Sequence, residues 1–409
     1  MHKCRSPPGC SSGAERRQTR LKQTFDALVV GAGYAGAVTA RALAEKGRRV
    51  LVLERRDHVA GNAYDRPDQA GVLIHQYGPH IFHTNDKRVF DWLSRFTQWR
   101  DYRHRVIANI PDDKGGRMTY PVPFNLTSLE TAFGLEEGKR LGDKLIAAYG
   151  PEKKVTILEL RQNPDPELSA LADYVYGHVF VRYTMKQWGQ TPEEIDPNTT
   201  ARVPVFLSED CRYFQDAYQG MPLEGYTPMF QSLLDHPDIT VELGVDAASR
   251  LTLDGSAALL DGRPFSGPII YTGAADELFG CKYGRLPYRT LDFRFETHPV
   301  DFWQSHGTVN YTVDQDYTRI TEFKYLTGQE LPGQTTIMKE YSRAYTGAKG
   351  EIPYYAIINA GNNALYAKYR AEADRYPNFH LLGRLAEDKY YNMDAIAARA
   401  LELCDDLLK

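Results

Sequence analysis

The segment Phe25 to Glu54, FDALVVGAGYAGAVTARALAEKGRRVLVLE, constrains this chain more than any other. An apolar run from Phe25 to Val30 ends in Gly31-Ala32-Gly33-Tyr34-Ala35-Gly36. Helix-forming Ala, Leu and Glu follow up to Gly47, and Arg48 to Leu53 resumes the pattern of a buried strand. Strand, glycine turn, helix and strand in that order make a βαβ unit. Gly31 permits the tight turn, Gly33 lets backbone approach a pyrophosphate, and Gly36 lets helix lie close on strand. Glu54 closes the second strand, where a carboxylate has little packing reason to be but is well placed to accept a ribose 2′-hydroxyl. A lone G-x-G-x-x-G recurs in ordinary turns; this one has its strand, helix and acid in place. The unit predicts dinucleotide binding and leaves open which dinucleotide.

A chain of 409 residues can bury large cores and predicts two or three domains. Its 27 tyrosines suggest surfaces that stack on rings as well as a core. Residues 1–24 hold Lys3, Arg5, Arg16, Arg17, Arg20 and Lys22 against the single acid Glu15. The net charge of −4 therefore becomes more negative over the rest, which argues against nucleic acid as a partner. That leader lacks an apolar core and reads as a disordered extension rather than a secretion signal. No apolar run approaches the roughly 20 residues a membrane helix needs, so no membrane partner is expected. Cys4, Cys10, Cys211, Cys281 and Cys404 show no paired spacing, consistent with a reducing, cytoplasmic setting.

Along the chain, three domains interleave. Residues 25–100, 225–278 and 375–409 read as the dinucleotide domain, with Phe379 to Gly383 a returning strand, Arg384 to Tyr391 a loop, and a final helix N-capped by Asn392. Residues 125–200 lose the strand pattern and read as an inserted helical domain with a mobile loop at about 190–206. Residues 101–124, 201–224 and 279–374 read as an antiparallel sheet domain rich in Tyr, Phe and Thr. The fold class is thus α/β with mixed α+β character. Gly78-Pro79 forces a turn beside His80 and His83; with His75 these lack any ligand spacing for a metal, and none is expected. No second G-x-G-x-x-G follows a strand, which favours an internally held cofactor such as FAD over a dissociable nicotinamide. Arg202 and Arg319 are candidates to grip a diphosphate, because a planar guanidinium suits phosphate oxygens. Tyr183, Trp188, Tyr213, Tyr355 and Tyr390 form an aromatic set with them.

Several stretches carry a family resemblance: GAGYAGAVTA at 31–40, AGNAYD at 60–65, YGPHIFHT at 77–84, YTMKQWG at 183–189, RVP at 202–204, DCRYFQDAYQGMPLEGYTPMF at 210–230, TRITEFK at 318–324, IPYY at 352–355 and GRLAEDKYYNMD at 383–394. Over residues 25–409 the chain resembles the bacterial-type UDP-galactopyranose mutases. The resemblance implies interconversion of UDP-galactopyranose and UDP-galactofuranose, supplying galactofuranose for cell-surface glycans. It further implies that N5 of reduced FAD attacks the anomeric carbon with UDP as leaving group, with no net redox change and an external reductant for the flavin. By motif, Arg202 and Arg319 would hold the diphosphate, Phe180, Tyr183 and Trp188 would line the uridine side, and Tyr213, Tyr355, Tyr390 and Asn392 would contact substrate. His80 would lie by the isoalloxazine. Cofactor contacts would come from Gly31, Gly33, Tyr34, Ala35, Gly36, Glu54, Arg55, Gly61, Asn62, His80 and Ile81, and from Gly383, Arg384, Tyr391, Asn392 and Met393. Asn392 stands where some members carry Asp, and Val179 where some carry a second aromatic. A homodimer or higher homo-oligomer is expected. Two other readings share the FAD unit: an amine-oxidase or desaturase-like oxidoreductase, and a nucleotide-sugar-binding protein without turnover.

Overall fold

The computed structural model describes residues 24–112, 114–189, 204–255 and 257–409. Five parallel strands lie in the order Ile239–Leu243, Val50–Glu54, Ala27–Val30, Ile269–Tyr271 and Phe379–Leu381. Apolar residues occupy successive positions in the central strands because both faces of the sheet are covered. Val29, Val52 and Ile270 pack against helices Tyr34–Ala44 and Met393–Leu407, whose inward residues include Ala37, Leu43, Ala397 and Cys404. Leu28, Leu51 and Ile269 face the opposite way, toward Tyr288, Tyr369 and Ala373. Burial of such an aliphatic side chain contributes about 1.5–3 kcal/mol, so neither face can be left open. Gly36 is required at its position: an added Cβ would sit 1.9 Å from the Gly31 carbonyl oxygen.

A second core joins helices Leu126–Phe133, Leu135–Tyr149, Ile157–Arg161 and Pro166–Val175 through Leu129, Leu145, Leu160 and Ala172, and helix Val181–Trp188 follows them in the chain. Asn125 opens the first of these with a capping box to Ser128, and Asp165 caps the fourth ahead of Pro166. A single π-helical turn, Tyr176–Phe180, joins the last two. The third layer is a seven-stranded sheet in the order Tyr355–Ala356, Tyr288–His298, Thr335–Ala344, Arg319–Glu322, Thr308–Asn310, Val106–Pro111 and Arg117–Val122. All its pairings are antiparallel except Thr308–Asn310 on Val106–Pro111. Among the described residues no helix is long and apolar enough to cross a membrane, and Cys211, Cys281 and Cys404 are free thiols.

Three boundaries differ from expectation. Of the expected segment 201–224, the described residues 204–224 do not join the large sheet: Val205–Phe206 pairs with Phe124–Asn125 and Lys154–Val155, while Tyr218–Pro222 completes a small sheet with Phe82–Thr84 and Trp99–Asp101. Helix Ala360–Ala373, placed by its sequence neighbours with the sheet domain, packs Tyr369 and Ala373 under the parallel sheet, whose second face needs that cover. Of the loop expected at about 190–206, residues 190–203 lie outside the described residues and Val205–Phe206 is strand.

Candidate active site

A cavity of about 680 Å³ opens at the carboxyl ends of the parallel strands, where open α/β sheets bind ligands. Gly31, Gly33, Tyr34 and Ala35 enter it after the first strand, Glu54 to Arg56 at and beyond the second, Thr272 and Gly273 after the fourth, and Gly383 and Arg384 after the last. Helices Tyr34–Ala44 and Met393–Leu407 both begin on it, presenting unbonded first-turn N–H groups to an anion. Gly33 and Gly61 touch across the entrance, and a Cβ on Gly61 would lie 2.9 Å from the Gly33 Cα. Glu54 accepts the Ala32 N–H on Oε2 at 2.8 Å and the Arg56 N–H on Oε1 at 2.9 Å. Each oxygen retains a second lone pair for a ribose hydroxyl. Arg56 donates to Asn62 at 2.8 Å and lies over the Tyr77 ring at 4.3 Å, and its buried Nη1 has no hydrogen-bond partner among the described residues. Two helix starts, an orphaned guanidinium donor and a carboxylate with spare acceptors fit an anionic dinucleotide.

Of the residues expected at the cofactor, all but Gly36 and Ile81 line this cavity. Gly36 serves the helix–strand contact, and Ile81 packs against the first core. Arg55 lines the cavity while pairing with Glu277 at 3.2 Å, and it is joined there by Arg56, which local spacing did not single out.

Beside the cavity lies a basin of arginine and tyrosine. Arg319 stands opposite Glu340 in the sheet register and donates from Nε and Nη2 to Glu340 Oε2 at 3.0 and 2.8 Å; its Nη1 makes no hydrogen bond to the described residues. Glu340 has no exposed surface and also accepts from the Thr318 hydroxyl at 3.3 Å. Burial alone would favour a neutral guanidinium, but the Glu340 carboxylate outweighs it and holds the Arg319 pKa well above its ordinary value. Burial, and then Glu340, push the Tyr355 hydroxyl up to about 12 against the pull of Arg319. Tyr183 is likewise raised by burial against Arg319. Tyr355 and Tyr390 rings stand 6.1 Å apart, and the Arg384 guanidinium lies 4.4 Å from the Tyr390 ring. Tyr213 donates its backbone N–H to His104 at 2.8 Å, and the two rings meet edge-on at 5.7 Å.

His80 borders both regions. Its Nδ1 lies 2.9 Å from the Gly78 carbonyl, which can only accept, so the proton is assigned to Nδ1 and Nε2 is bare. Burial, followed by His75, Arg384 and Arg319, presses the imidazole down to about 3. The three histidines of this stretch have separate partners: His75 Nδ1 accepts the His80 N–H at 3.0 Å, and His83 meets Asp216 at 2.9 Å. Phe180, expected beside uridine, is 4% exposed within the helical core. Trp188 ends helix Val181–Trp188 with its side chain outside the description, and Arg202 lies outside the described residues. Glu340 and His104 were missed by sequence reasoning. An acid on the inward phase of the strand TTIMKEY was the available signal for Glu340, and His104 carried none.

Fold and cavity together define a Rossmann-type dinucleotide-binding enzyme with a cationic, tyrosine-rich substrate basin. A Rossmann-like NAD(P)-binding domain model matches residues 29–96, and a UDP-galactopyranose mutase model matches residues 178–390. A UDP-galactopyranose mutase of Mycoplasma pneumoniae is 34% identical over 94% of this chain and 96% of its own length. A dTDP-fucopyranose mutase of Escherichia coli is 34% identical over 93% and 98%. The crystal structure of a reduced UDP-galactopyranose mutase shares the fold at a TM-score of 0.67 and 16% identity, covering 94% of each chain. This chain belongs to the UDP-galactopyranose mutase family and is an isomerase.

Proposed function

We propose that the enzyme interconverts UDP-galactopyranose and UDP-galactofuranose with FAD held in the 680 Å³ cavity, and that its product feeds cell-surface glycans from the cytoplasm. The observation carrying this reading is the juxtaposition of that cavity with the Arg319–Glu340 pair, His80 and Arg384 standing between them. Bound there and kept reduced by an external reductant, FAD would supply a nucleophile for the anomeric carbon, with UDP as the leaving group and no net redox change. Glu340 orients Arg319 so that Nη1 meets a diphosphate oxygen, and the charge that grows there on departure is met by a guanidinium that stays protonated. Tyr183 and Tyr355, raised by burial, keep their protons and donate to the same group, with Tyr213, Tyr390 and Asn392 beside them. His80 Nε2 accepts a hydrogen bond at the cofactor face. Arg202 is assigned to the diphosphate alongside Arg319, and Phe180 and Trp188 to the uridine side. A homodimer or higher homo-oligomer is proposed.

Chromatography of nucleotide sugars tests the reading. Dithionite-reduced protein should convert UDP-galactofuranose to UDP-galactopyranose while oxidised protein does little. Equal inactivity in both states would overturn it, and conversion of a dTDP-fucose substrate alone would overturn the choice of sugar.

A further inference from the structure

Helix Val181–Trp188, which delivers Tyr183 to the basin, continues from the π-helical turn of the helical core, while Arg319 belongs to the large sheet. Something must hold the two in register. Lys186, one turn beyond Tyr183, is half-buried and makes no ion pair with the described residues. Its three N–H donors go to the carbonyls of Tyr311, Gln315 and Tyr317, the last two at 3.0 and 3.4 Å. An ammonium has three donors, so one segment saturates it. That segment runs directly into Arg319. The segment answers in kind: the Thr312 hydroxyl donates at 2.8 Å to the carbonyl of His178, in the π-helical turn ahead of Tyr183. A π turn breaks the regular bonding of the helix and leaves carbonyls for such partners. At the far end of the helix, Arg289 donates to the Gln187 and Lys186 carbonyls at 3.1 and 3.2 Å.

From this arrangement we infer that Lys186 is a positioning residue for the reaction, a clamp that registers Tyr183 against Arg319 by tying its helix to segment 311–317. The inference rests on the reading of Arg319 as a diphosphate ligand. Asp314 does not neutralise Lys186, because Arg117 takes both its oxygens at 2.7 and 3.1 Å. The charged groups facing Lys186 are thus Asp314 with its Arg117, Asp316, and Arg182 on its own helix. Burial, only partly offset by Asp314 and Asp316, brings the ammonium down to about 8, so the clamp loses its charge on the alkaline side of neutrality.

The test is UDP binding to the flavin-loaded enzyme by calorimetry across pH 6.5 to 9.5 (a window spanning roughly 1.5 units on either side of that value), with K186M and K186R. Wild type should bind UDP with affinity that falls above pH 8. K186M should bind about tenfold more weakly near neutrality without that limb, since charge-assisted hydrogen bonds are lost. K186R should bind as wild type does and carry no limb, because arginine keeps its proton. In turnover, KM should rise more than kcat falls. Should K186M not fold, the wild type and K186R decide: a limb abolished in K186R supports the clamp, and the same limb in both overturns it. Wild-type affinity and limb in K186M also overturn it. A wild type that does not bind UDP at all would instead overturn the diphosphate reading of Arg319, and the clamp with it.

Discussion

Glu340 is the residue on which the basin turns. It has no exposed surface, and its principal partner is the Arg319 guanidinium. Removing one partner of a buried pair leaves the other charge uncompensated, which costs about 3–5 kcal/mol. Glu340→Gln should therefore lower the unfolding free energy from urea titration by that order and weaken UDP binding, whereas wild-type values for both would refute the pairing. Arg319→Lys keeps the charge but loses the planar fork, and kcat/KM should fall about 100-fold, as measured by initial rates on reduced enzyme. The buried histidines set an acid limit. Burial holds His75 down to about 4 and His104 to about 3, below the value of about 6.5 in an unfolded chain. As pH falls through that window the unfolded chain takes up protons that the folded one refuses, so stability present above pH 6.5 is lost toward pH 4. The loss should be on the order of 3 kcal/mol per histidine, read from unfolding free energies at successive pH values, with His75→Gln flattening the curve.

At the scale of elements, the glycine turn governs cofactor retention. A Cβ at Gly36 would meet the Gly31 carbonyl oxygen at 1.9 Å, so the helix must move off the strand. Gly36→Ala should purify with less flavin and melt lower, checked by the ratio of flavin to protein absorbance; full retention would contradict the packing role. This turn was legible in the sequence because strand, turn, helix and acid are contiguous, and each imposes a local requirement. The returning strand Phe379–Leu381 and the start of the last helix were legible for the same reason. Elements that act by pairing at a distance were not. Tyr218–Pro222 reads as an isolated extended piece until Phe82–Thr84 and Trp99–Asp101 flank it, and helix Ala360–Ala373 carries no local mark of the sheet it covers. Glu340 and Arg319 lie 21 residues apart and meet only through the register of adjacent strands. Arg56 was not singled out because its place at the cavity depends on how the chain turns after the second strand, which the sequence does not mark.

At the scale of the whole molecule, three layers meet where chemistry is proposed. The parallel sheet supplies the cavity, the seven-stranded sheet supplies Arg319 and Tyr355, and the helical layer supplies Tyr183. Nothing in the sheet order requires electrons to leave the enzyme. A redox-neutral isomerase should form many product molecules for each electron pair delivered, while an oxidoreductase built on the same fold must consume one pair per product. Anaerobic titration of the flavin with a measured amount of dithionite, followed by counting product formed from excess UDP-galactofuranose, separates the two. The account predicts product far exceeding the electrons added and a flavin that remains reduced throughout. One product molecule per electron pair added, with the flavin reoxidised as it forms, would contradict it.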